Sequence, residues 1–233
     1  MDIKQLFINH FNRPSDYVPP VGRYSASNIH YIMQGWVTPE SFFSKSVIDE
    51  DGVRRMQRGM CYEDGLSKLF DKSGLQGYWG EHQRKYLIDI TNMNEEGGWK
   101  YKVYDVSDKK QEPDLKDRVV LVCKPDYCFT KTVFTENVVC SNAIIDVIEL
   151  KCPEEPKYFD DIPDKYKPQL ECEYRATSFF NPDKTNGLPN VYLAIAHSPI
   201  DIFTYKFKSS EIKWRNMCTK MLAFDKEVRK VSR

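Results

Sequence analysis

The sequence lacks the features that mark several broad classes of protein. Its 233 residues contain no apolar run of about 18 residues, so a membrane-spanning helix is not expected. Glycine and proline occur at ordinary levels, 11 and 13 residues, which excludes collagen-like and low-complexity chains. The N-terminal stretch has charges among its apolar residues and no small-residue cleavage site, so we do not expect secretion.

Paired metal ligands are also missing. The seven cysteines form no CxxC pair, and an odd number of scattered cysteines favours reduced intracellular thiols over a disulfide scaffold. The same spacing excludes a zinc ribbon, which needs ligands in close pairs. The four histidines stand alone in the sequence, so there is no HExxH or HxH motif.

The chain has no net charge, with 34 basic and 34 acidic residues, but the charges are unevenly distributed. Residues 202–233 contain nine basic and three acidic residues, whereas residues 144–173 contain nine acidic residues and four lysines. A basic end beside an acidic centre suits a protein that holds a polyanion near a metal site. Solvated helix surfaces with scattered surface acids would give the same pattern.

The predicted elements follow the order helices, strand meander, helix, two strands, helix. This order predicts a single domain of the α/β (α+β) class, with a central mixed β-sheet flanked by helices. We expect a helical N-terminal part over 1–48, a core over 49–180, and late strands with a basic C-terminal helix over 181–233. The predicted strands are 81–90, 99–106, 117–130, 143–151, 191–196 and 202–208, and the longer helices are 50–72, 163–180 and 210–231.

Charged residues end two of the predicted apolar strands. Glu149 and Lys151 are two residues apart on a strand and so share one face, whereas Asp146 points to the other face. Asp126 follows an apolar run and a proline, which places it at the lip of the sheet. Buried charges need a partner or a metal. An ion pair that caps the strand, and an aspartate in an ordinary turn, explain the same residues equally simply.

Two predicted helices carry further candidates. Glu63 falls within the apolar arc of its helix, near Met56 in projection and on the same side as Met60. A carboxylate on the core side needs a reason, and pairing with a basic residue such as Lys151 is one alternative to a catalytic role. Gln169 shares a stripe of the next helix with Glu173, and a residue there can also simply line a helix interface.

The order of these residues along the chain is more informative than any one of them. Glutamate, Pro-Asp, Glu-x-Lys and glutamine form the set that a metal-dependent phosphodiesterase needs. Two or three carboxylates hold Mg²⁺ through oxygen ligands, and a lysine orients the attacking water and offsets charge at phosphorus.

The motifs resemble the PD-(D/E)xK nuclease superfamily and, within it, the YqaJ-type viral recombination nucleases that are similar to phage lambda exonuclease. The similarity extends from Ser25 to about Thr177, and the string ELKCP is among its most family-specific parts. The matching segments are Ser25-Ala-Ser27, Arg58-Gly-Met-Cys-Tyr-Glu-Asp64, Lys124-Pro-Asp126, Glu149-Leu-Lys-Cys-Pro153 and Tyr166-Lys-Pro-Gln169.

The resemblance implies a restriction-endonuclease-like core and a metal site. Asp126 and Glu149 would ligate Mg²⁺, with Mn²⁺ as a substitute, and the Leu150 carbonyl would be a backbone ligand. Glu63 would bind a second metal or a metal-bound water. The segment between the two principal ligands is longer than in the family, and residues 131–141 predict an extended β-hairpin there.

The resemblance also implies roles for residues around the metal. Lys151 would position the nucleophilic water, and Gln169 would hold either this lysine or the scissile phosphate. Ser27 would contact the DNA phosphate at the 5′ end, where Arg23 is the nearest arginine. In the C-terminal part, four basic residues are expected to contact DNA phosphates, namely Lys206, Lys208, Lys213 and Arg215.

The implied activity is that of a Mg²⁺-dependent deoxyribonuclease, an exonuclease that resects duplex DNA ends in viral-type recombination or replication and leaves 5′-phosphates. Alternatives on the same site are a structure-selective endonuclease, an RNA-cleaving nuclease and a non-catalytic nucleic-acid-binding relative. Expected partners are DNA, a single-strand annealing protein and further copies of the chain, as a trimer in lambda-type relatives. The expected location is the host cytoplasm or nucleus, without membrane association.

Overall fold

The computed structural model describes residues 19–44, 50–73, 79–82, 84–107, 113–135, 138–153, 158–180, 188–198 and 201–232. Within these ranges the helices are α1 (Ile29–Met33), α2 (Glu50–Ser73), α3 (Lys167–Phe179) and α4 (Glu211–Val231). The strands are β1 (Arg23–Ser25), β2 (Trp79–His82), β3 (Tyr86–Asp89), β4 (Lys102–Asp105), β5 (Val120–Cys123), β6 (Tyr127–Thr135), β7 (Val138–Lys151), β8 (Asn190–Ser198) and β9 (Asp201–Lys206).

The strands form two sheets. The first has the order β1-β5-β3-β4, in which β1 and β5 are parallel and the other pairs are antiparallel. The second has the order β2-β6-β7-β8-β9, in which β7 and β8 are the parallel pair. Helix α3 lies in the connection between these two strands, as a parallel pair requires a crossover. The predicted fold class, a mixed sheet flanked by helices, is confirmed.

Two predicted strands are each divided between the two sheets. The run 117–130 forms β5 in the first sheet and β6 in the second, with Lys124, Pro125 and Asp126 between them. A proline has no backbone N–H for a ladder, so the break at Pro125 has a local cause. The run 81–90 is divided in the same way into β2 and β3.

The predicted long hairpin is confirmed. Strands β6 and β7 stay antiparallel from Tyr127, opposite Ile148, to Thr135, opposite Val138. The pairing is irregular between Phe129 and Thr130. The hairpin therefore extends well beyond the core of the second sheet.

The N-terminal part is not only helical, because β1 joins the first sheet. The backbone approaches β5 closely there: the Val120 N–H donates to the Gly22 carbonyl at 2.7 Å. Gly22 has φ +85°, and a Cβ at this position would lie 2.3 Å from the Arg118 carbonyl oxygen. Glycine thus permits the strand to dock. Residues 1–18 of the predicted helical part lie outside the described residues.

Helix α3 is the central helix of the core. It packs against strands of both sheets, β3 and β5 of the first and β7 and β8 of the second. Its side chains Leu170, Cys172 and Ala176 are completely buried. Helix α4 covers the same core with Trp214 and Met221, and its N-terminus is capped by the Ser210 hydroxyl. The two helices fix the position of the strand ends.

Helix α2 packs over the other face of the second sheet, with Tyr62 and Leu66 near Leu150. The Arg58 guanidinium and the Tyr62 hydroxyl both donate to the His197 carbonyl, at 3.0 and 3.2 Å. The prediction that Met56 and Met60 face the core is wrong, because both are exposed. Only part of the apolar arc of this long helix meets the sheet. None of the helices described here is long and apolar enough to span a bilayer.

Candidate active site

The break between β5 and β6 brings Asp126 to the end of β7. Tyr127 pairs with Ile148, so the antiparallel ladder places Asp126 opposite Glu149. The Asp126 carboxylate accepts a hydrogen bond from the Leu150 N–H through Oδ2 at 2.7 Å. Asp146 lies apart and accepts from the Asn190 side-chain amide at 3.0 Å. We call the edge formed by the end of β7 and the start of β6 the acidic rim.

Glu149 and Lys151 form an ion pair at the acidic rim. The Lys151 ammonium donates to Oε1 of Glu149, whose side chain is almost completely buried at 2% exposure. No donor among the described residues bonds to Oε2 of Glu149. The Lys151 Nζ also lies 6.0 Å from the ring centroid of Tyr166, just before α3. Lysine and glutamate thus share a face, as the sequence predicts.

Helix α3 brings a further carboxylate, Glu173, to the rim. It is 0% exposed and lies within hydrogen-bonding reach of the Glu149 carboxylate, and no N–H or hydroxyl group of the described chain donates to it. Burial, together with the neighbouring charge of Glu149, raises the pKa of Glu173 well above its usual range. No role is predicted for this residue from the sequence. Its position four residues after Gln169, on the same helical stripe, was the signal that could have identified it.

The rim has more carboxyl groups than its one lysine could balance if all of them were ionised, and the pKa values respond to this. Burial, followed by the charge of Glu149, raises the pKa of Asp126 to about 8. Burial by itself would lower the pKa of Lys151, but the Glu149 carboxylate outweighs it, and the pKa is raised. Lys151 is therefore an ammonium ion at neutral pH, and it sits among acids that compete for protons or for a cation.

Glu63 approaches the rim from α2. The Tyr127 hydroxyl donates to the Glu63 carbonyl at 2.8 Å, which fixes this turn of the helix against β6. The Glu63 charge contributes to the raised pKa of Asp126, after burial and Glu149. Burial and, to a smaller extent, the charge of Glu63 raise the pKa of Cys152 to about 11. This cysteine is accordingly a thiol at neutral pH and not a thiolate nucleophile.

Gln169 lies in the first turn of α3, half-buried, one turn before Glu173 and three residues after Tyr166. Residues four apart on a helix lie on the same face. The amide is therefore on the side of α3 that Glu173 presents to the rim. The structure brings together Asp126, Glu149 and Lys151, adds Glu173, and places Glu63 and Gln169 on the two helices that flank them.

The rim contains the type of donor atom that a hard divalent cation takes. Carboxylate and carbonyl oxygens are the ligands that Mg²⁺ takes in proteins. Oε2 of Glu149 and both oxygens of Glu173 are buried without a donor among the described residues. Within the described ranges, no group of three or more Asp, Glu, His or Cys side chains is arranged so that it could hold a metal ion. Two carboxylate oxygens of the rim already accept hydrogen bonds within the chain. The Lys151 ammonium donates to one oxygen of Glu149, and the Leu150 N–H donates to one oxygen of Asp126.

The residues predicted to contact DNA do not form one surface. Lys206, Lys208 and Lys213 line a common cavity beside α3. Arg215 points elsewhere: it pairs with Glu211 at 2.9 Å and stacks over Trp99 at 5.2 Å.

The other two predicted DNA contacts lie near the N-terminal end of the described chain. Arg23 is half-buried in β1. Ser27 is exposed in the short helical turn after that strand, with its hydroxyl 2.8 Å from that of Ser25.

Comparison with known proteins gives structural similarity only. No family model matches the sequence, and no curated protein matches it. The fold aligns with the crystal structure of SSO0001 over 96% of this chain and 86% of that one, with a TM-score of 0.52 and 13% identity. At this identity the alignment shows a shared fold.

Two crystal structures of LHK-Exo align over 90% of this chain and 89% of theirs. One is the alkaline exonuclease from Laribacter hongkongensis, at a TM-score of 0.47 and 15% identity. The other is LHK-Exo in complex with dAMP, at 0.48 and 14%. Both scores lie below 0.5, and we draw no conclusion about function from them.

Proposed function

We propose that the protein is a metal-dependent deoxyribonuclease that resects duplex DNA ends, cutting phosphodiesters to 5′-phosphates and 3′-hydroxyls in viral-type recombination or replication. One observation carries the proposal. Asp126, Glu149 and Glu173 interact with one another and with Lys151, and oxygens of Glu149 and Glu173 are buried without an N–H or hydroxyl donor from the described chain. Such a cluster is costly unless a cation completes it.

Asp126, Glu149 and the Leu150 carbonyl would hold Mg²⁺, or Mn²⁺ in its place, and Glu63 would hold a second ion or a water bound to it. When bound, the cation would stabilise charge on the phosphoryl oxygens and lower the pKa of a bound water.

The protein side chains supply positioning and charge. Lys151 stays protonated, because its pKa is raised, and would donate to the attacking water or to a phosphoryl oxygen. Its ion pair with Glu149 and its place beside the Tyr166 ring restrict where the ammonium can point. Gln169, on the adjoining turn of α3, would donate its amide to the phosphate. Glu173, with its raised pKa, would carry a proton beside Glu149 at neutral pH.

The test is a cleavage assay on linear duplex DNA with Mg²⁺ or with EDTA. Lys151→Ala should lose about 10²–10⁴-fold in rate, the usual cost of removing a positioned acid–base group. The matched control is Asp146→Asn, a carboxylate on the same strand that bonds Asn190 away from the rim. Its rate should equal that of the wild type. Equal rates for Lys151→Ala and wild type would remove the assignment.

A second set of substrates separates the possible nucleases. Degradation of linear duplex with protection of closed circles indicates the proposed exonuclease, whereas nicking of circles indicates an endonuclease. Cleavage of RNA in preference to DNA would show that the substrate is RNA and not duplex DNA. A single-strand annealing partner and a trimeric assembly are separate predictions, tested by co-purification and by molecular mass in solution.

A further inference from the structure

A cavity of about 630 Å³ adjoins the candidate active site on the other side of α3. Its walls come from α1, the first turn of α3 with the segment before it, the residues after β9, and α4. Glu171 lines the cavity, and at 100° per residue it points about 200° away from Gln169 and Glu173. The cavity is therefore a neighbour of the acidic rim and not part of it.

The cavity is rich in lysine, and its acids already have partners. Asp161 and Asp164 both pair with Lys167, at 3.2 and 2.9 Å. Glu171 accepts from the Arg175 guanidinium at 2.8 Å and from the Ser209 hydroxyl at 2.6 Å. None of these carboxylates is left to neutralise the remaining lysines by direct pairing.

Those remaining lysines form a cluster of positive charge. Within the part of the chain that the structure describes, no Nζ atom of these lysines lies within 4.0 Å of a carboxylate oxygen. Lys213 interacts with Asp161 and Asp164 at longer range. Four ammonium groups around one concave surface fit a ligand with several phosphates spaced along it. The four residues are Lys206, Lys208, Lys213 and Lys220.

An exposed aromatic group stands at the edge of this cavity. His30 lines the cavity, and its ring lies 5.7 Å from Tyr31 and 5.8 Å from Trp36, centroid to centroid. Tyr31 is 40% exposed and Trp36 is 68% exposed. We call these three residues the aromatic platform. Large aromatic faces left open to solvent beside a basic groove are the arrangement on which unpaired bases stack.

The end of α1 holds the platform in place. Gly35 has φ +74°, and its N–H donates to the Ile32 carbonyl at 3.0 Å. The Trp36 N–H donates to the Tyr31 carbonyl at 2.9 Å. These two bonds make a Schellman motif, in which glycine takes the left-handed conformation. The turn folds Trp36 back against the helix and presents its ring beside His30.

We infer that the aromatic platform and the lysine cavity together bind unpaired nucleotides of a DNA strand, with bases stacked on Trp36 and Tyr31 and phosphates among the lysines. The inference rests on the proposed function, in that this strand would be the nuclease substrate. The first turn of α3 joins the two sites: Tyr166 lies beside Lys151, whereas Lys167 and Pro168 line the cavity. A strand that leaves the acidic rim across this turn reaches the lysines.

Binding is tested without cleavage, by fluorescence anisotropy of a labelled dT12 oligonucleotide in EDTA. Trp36→Ala should weaken binding about tenfold, within the usual contribution of one stacked base. Trp36→Phe keeps an aromatic face and should retain most of the affinity. A 12-base-pair duplex should be bound equally by all three proteins, because its bases offer no free face.

The lysines are tested by salt dependence. Lys213→Gln combined with Lys220→Gln should weaken dT12 binding and flatten the slope of log K against log salt by roughly 1.4, since each phosphate contact on a single strand contributes about 0.7. The matched control is Lys226→Gln with Lys230→Gln, which removes the same charge from the same helix, beginning about 9 Å beyond Lys220. This control should change the slope little.

The outcomes separate this inference from the proposed function. Asp146→Asn, whose carboxylate bonds Asn190 away from the acidic rim, should bind dT12 like the wild type. If the wild type cuts no DNA but Trp36→Ala still loses dT12 binding, the inference stands and the proposed function fails. Unchanged dT12 affinity in Trp36→Ala and in the Lys213/Lys220 variant would overturn the inference. So would dAMP binding as tight as dT12 binding, which would indicate a mononucleotide pocket.

Discussion

Glu171 and Glu173 lie two residues apart on α3 and are almost equally buried, at 5% and 0% exposure, but their surroundings are opposite. Glu171 accepts from the Arg175 guanidinium, the Ser209 hydroxyl and the Ser210 N–H. Glu173 receives no hydrogen bond from an N–H or hydroxyl group of the described chain and faces Glu149. One helix thus presents a satisfied carboxylate on one side and an unsatisfied one on the other.

The difference separates structural acids from acids at the candidate site. Asp225, another buried carboxylate, accepts from the Tyr24 hydroxyl at 2.8 Å and from Arg229 at 2.6 Å. At the acidic rim, by contrast, oxygens of Glu149 and Glu173 are buried without donors in the described chain. A buried carboxylate without donors is relieved either by a proton or by a cation, and the proposed metal site corresponds to the second case.

The largest effect is expected at the rim. Glu149→Gln should reduce the cleavage rate by at least about 100-fold, because it removes a charge from the proposed metal site while keeping the shape of the side chain. The free energy of unfolding without metal should fall by no more than about 3 kcal/mol, because the Lys151 ammonium loses its charged partner but is partly exposed. Single-turnover cleavage and urea denaturation measure the two quantities. Loss of stability with full activity would make Glu149 a structural residue like Asp225.

Isosteric changes on α3 test the comparison directly. Glu171→Gln should lower the free energy of unfolding by about 3 kcal/mol, because Arg175 loses a buried charged partner. Glu173→Gln should leave the stability of the metal-free protein unchanged or raise it, because the glutamine amide can donate to Glu149 as the protonated carboxyl group does. Urea denaturation of both variants gives the answer, and equal destabilisation would contradict the distinction between the two faces.

The pH dependence of the metal-free protein follows from the raised pKa values. Burial raises the pKa of Asp126 from 3.8 to about 8 and raises that of Glu173, so between these values the folded protein binds more protons than the unfolded chain. The stability that these groups contribute is full below pH 4 and is lost as the pH rises towards 8.

Thermal unfolding in EDTA should therefore give a lower Tm at pH 8 than at pH 5. Asp126→Asn should reduce the difference, and Mg²⁺ should raise the Tm more at pH 8 than at pH 5. A Tm that rises between pH 5 and pH 8 in EDTA would show that these carboxyl groups are ionised in the folded protein at little cost.

The smallest effect is expected for an ion pair at the protein surface. Its N···O distance is similar to that of the buried pair between Arg175 and Glu171. Arg54 and Glu50 on α2 are 2.6 Å apart, but their side chains are 59% and 39% exposed, and water screens the interaction. Arg54→Ala should change the free energy of unfolding by less than about 0.5 kcal/mol. A loss close to that of Glu171→Gln would mean that burial does not decide the strength of ion pairs in this protein.

Local signals in the sequence predicted much of the fold. The predicted helix 210–231 agrees with α4 to within one residue, and the predicted strand 143–151 is the second part of β7. The sequence did not reveal that the runs 81–90 and 117–130 each divide between two sheets. Strand partners depend on contacts between distant residues, and apolar periodicity alone does not specify them.

The candidate site was predictable where its residues belong to one strand or one motif. Two-residue spacing placed Glu149 and Lys151 on one face, and the proline before Asp126 marked a strand end. Glu173 was missed because a glutamate on a helix is ordinarily exposed, and its burial depends on how α3 crosses both sheets. The aromatic platform was missed for a similar reason, since Trp36 gains its position from a turn.

The most direct test of the account is a calorimetric titration of the metal-free protein with Mn²⁺, compared between wild type and Glu149→Ala, with Asp146→Asn as the control. The account predicts saturable binding to the wild type and to Asp146→Asn, and its loss in Glu149→Ala. Equal binding to all three proteins, or binding to none, would contradict the claim that the acidic rim holds a divalent cation.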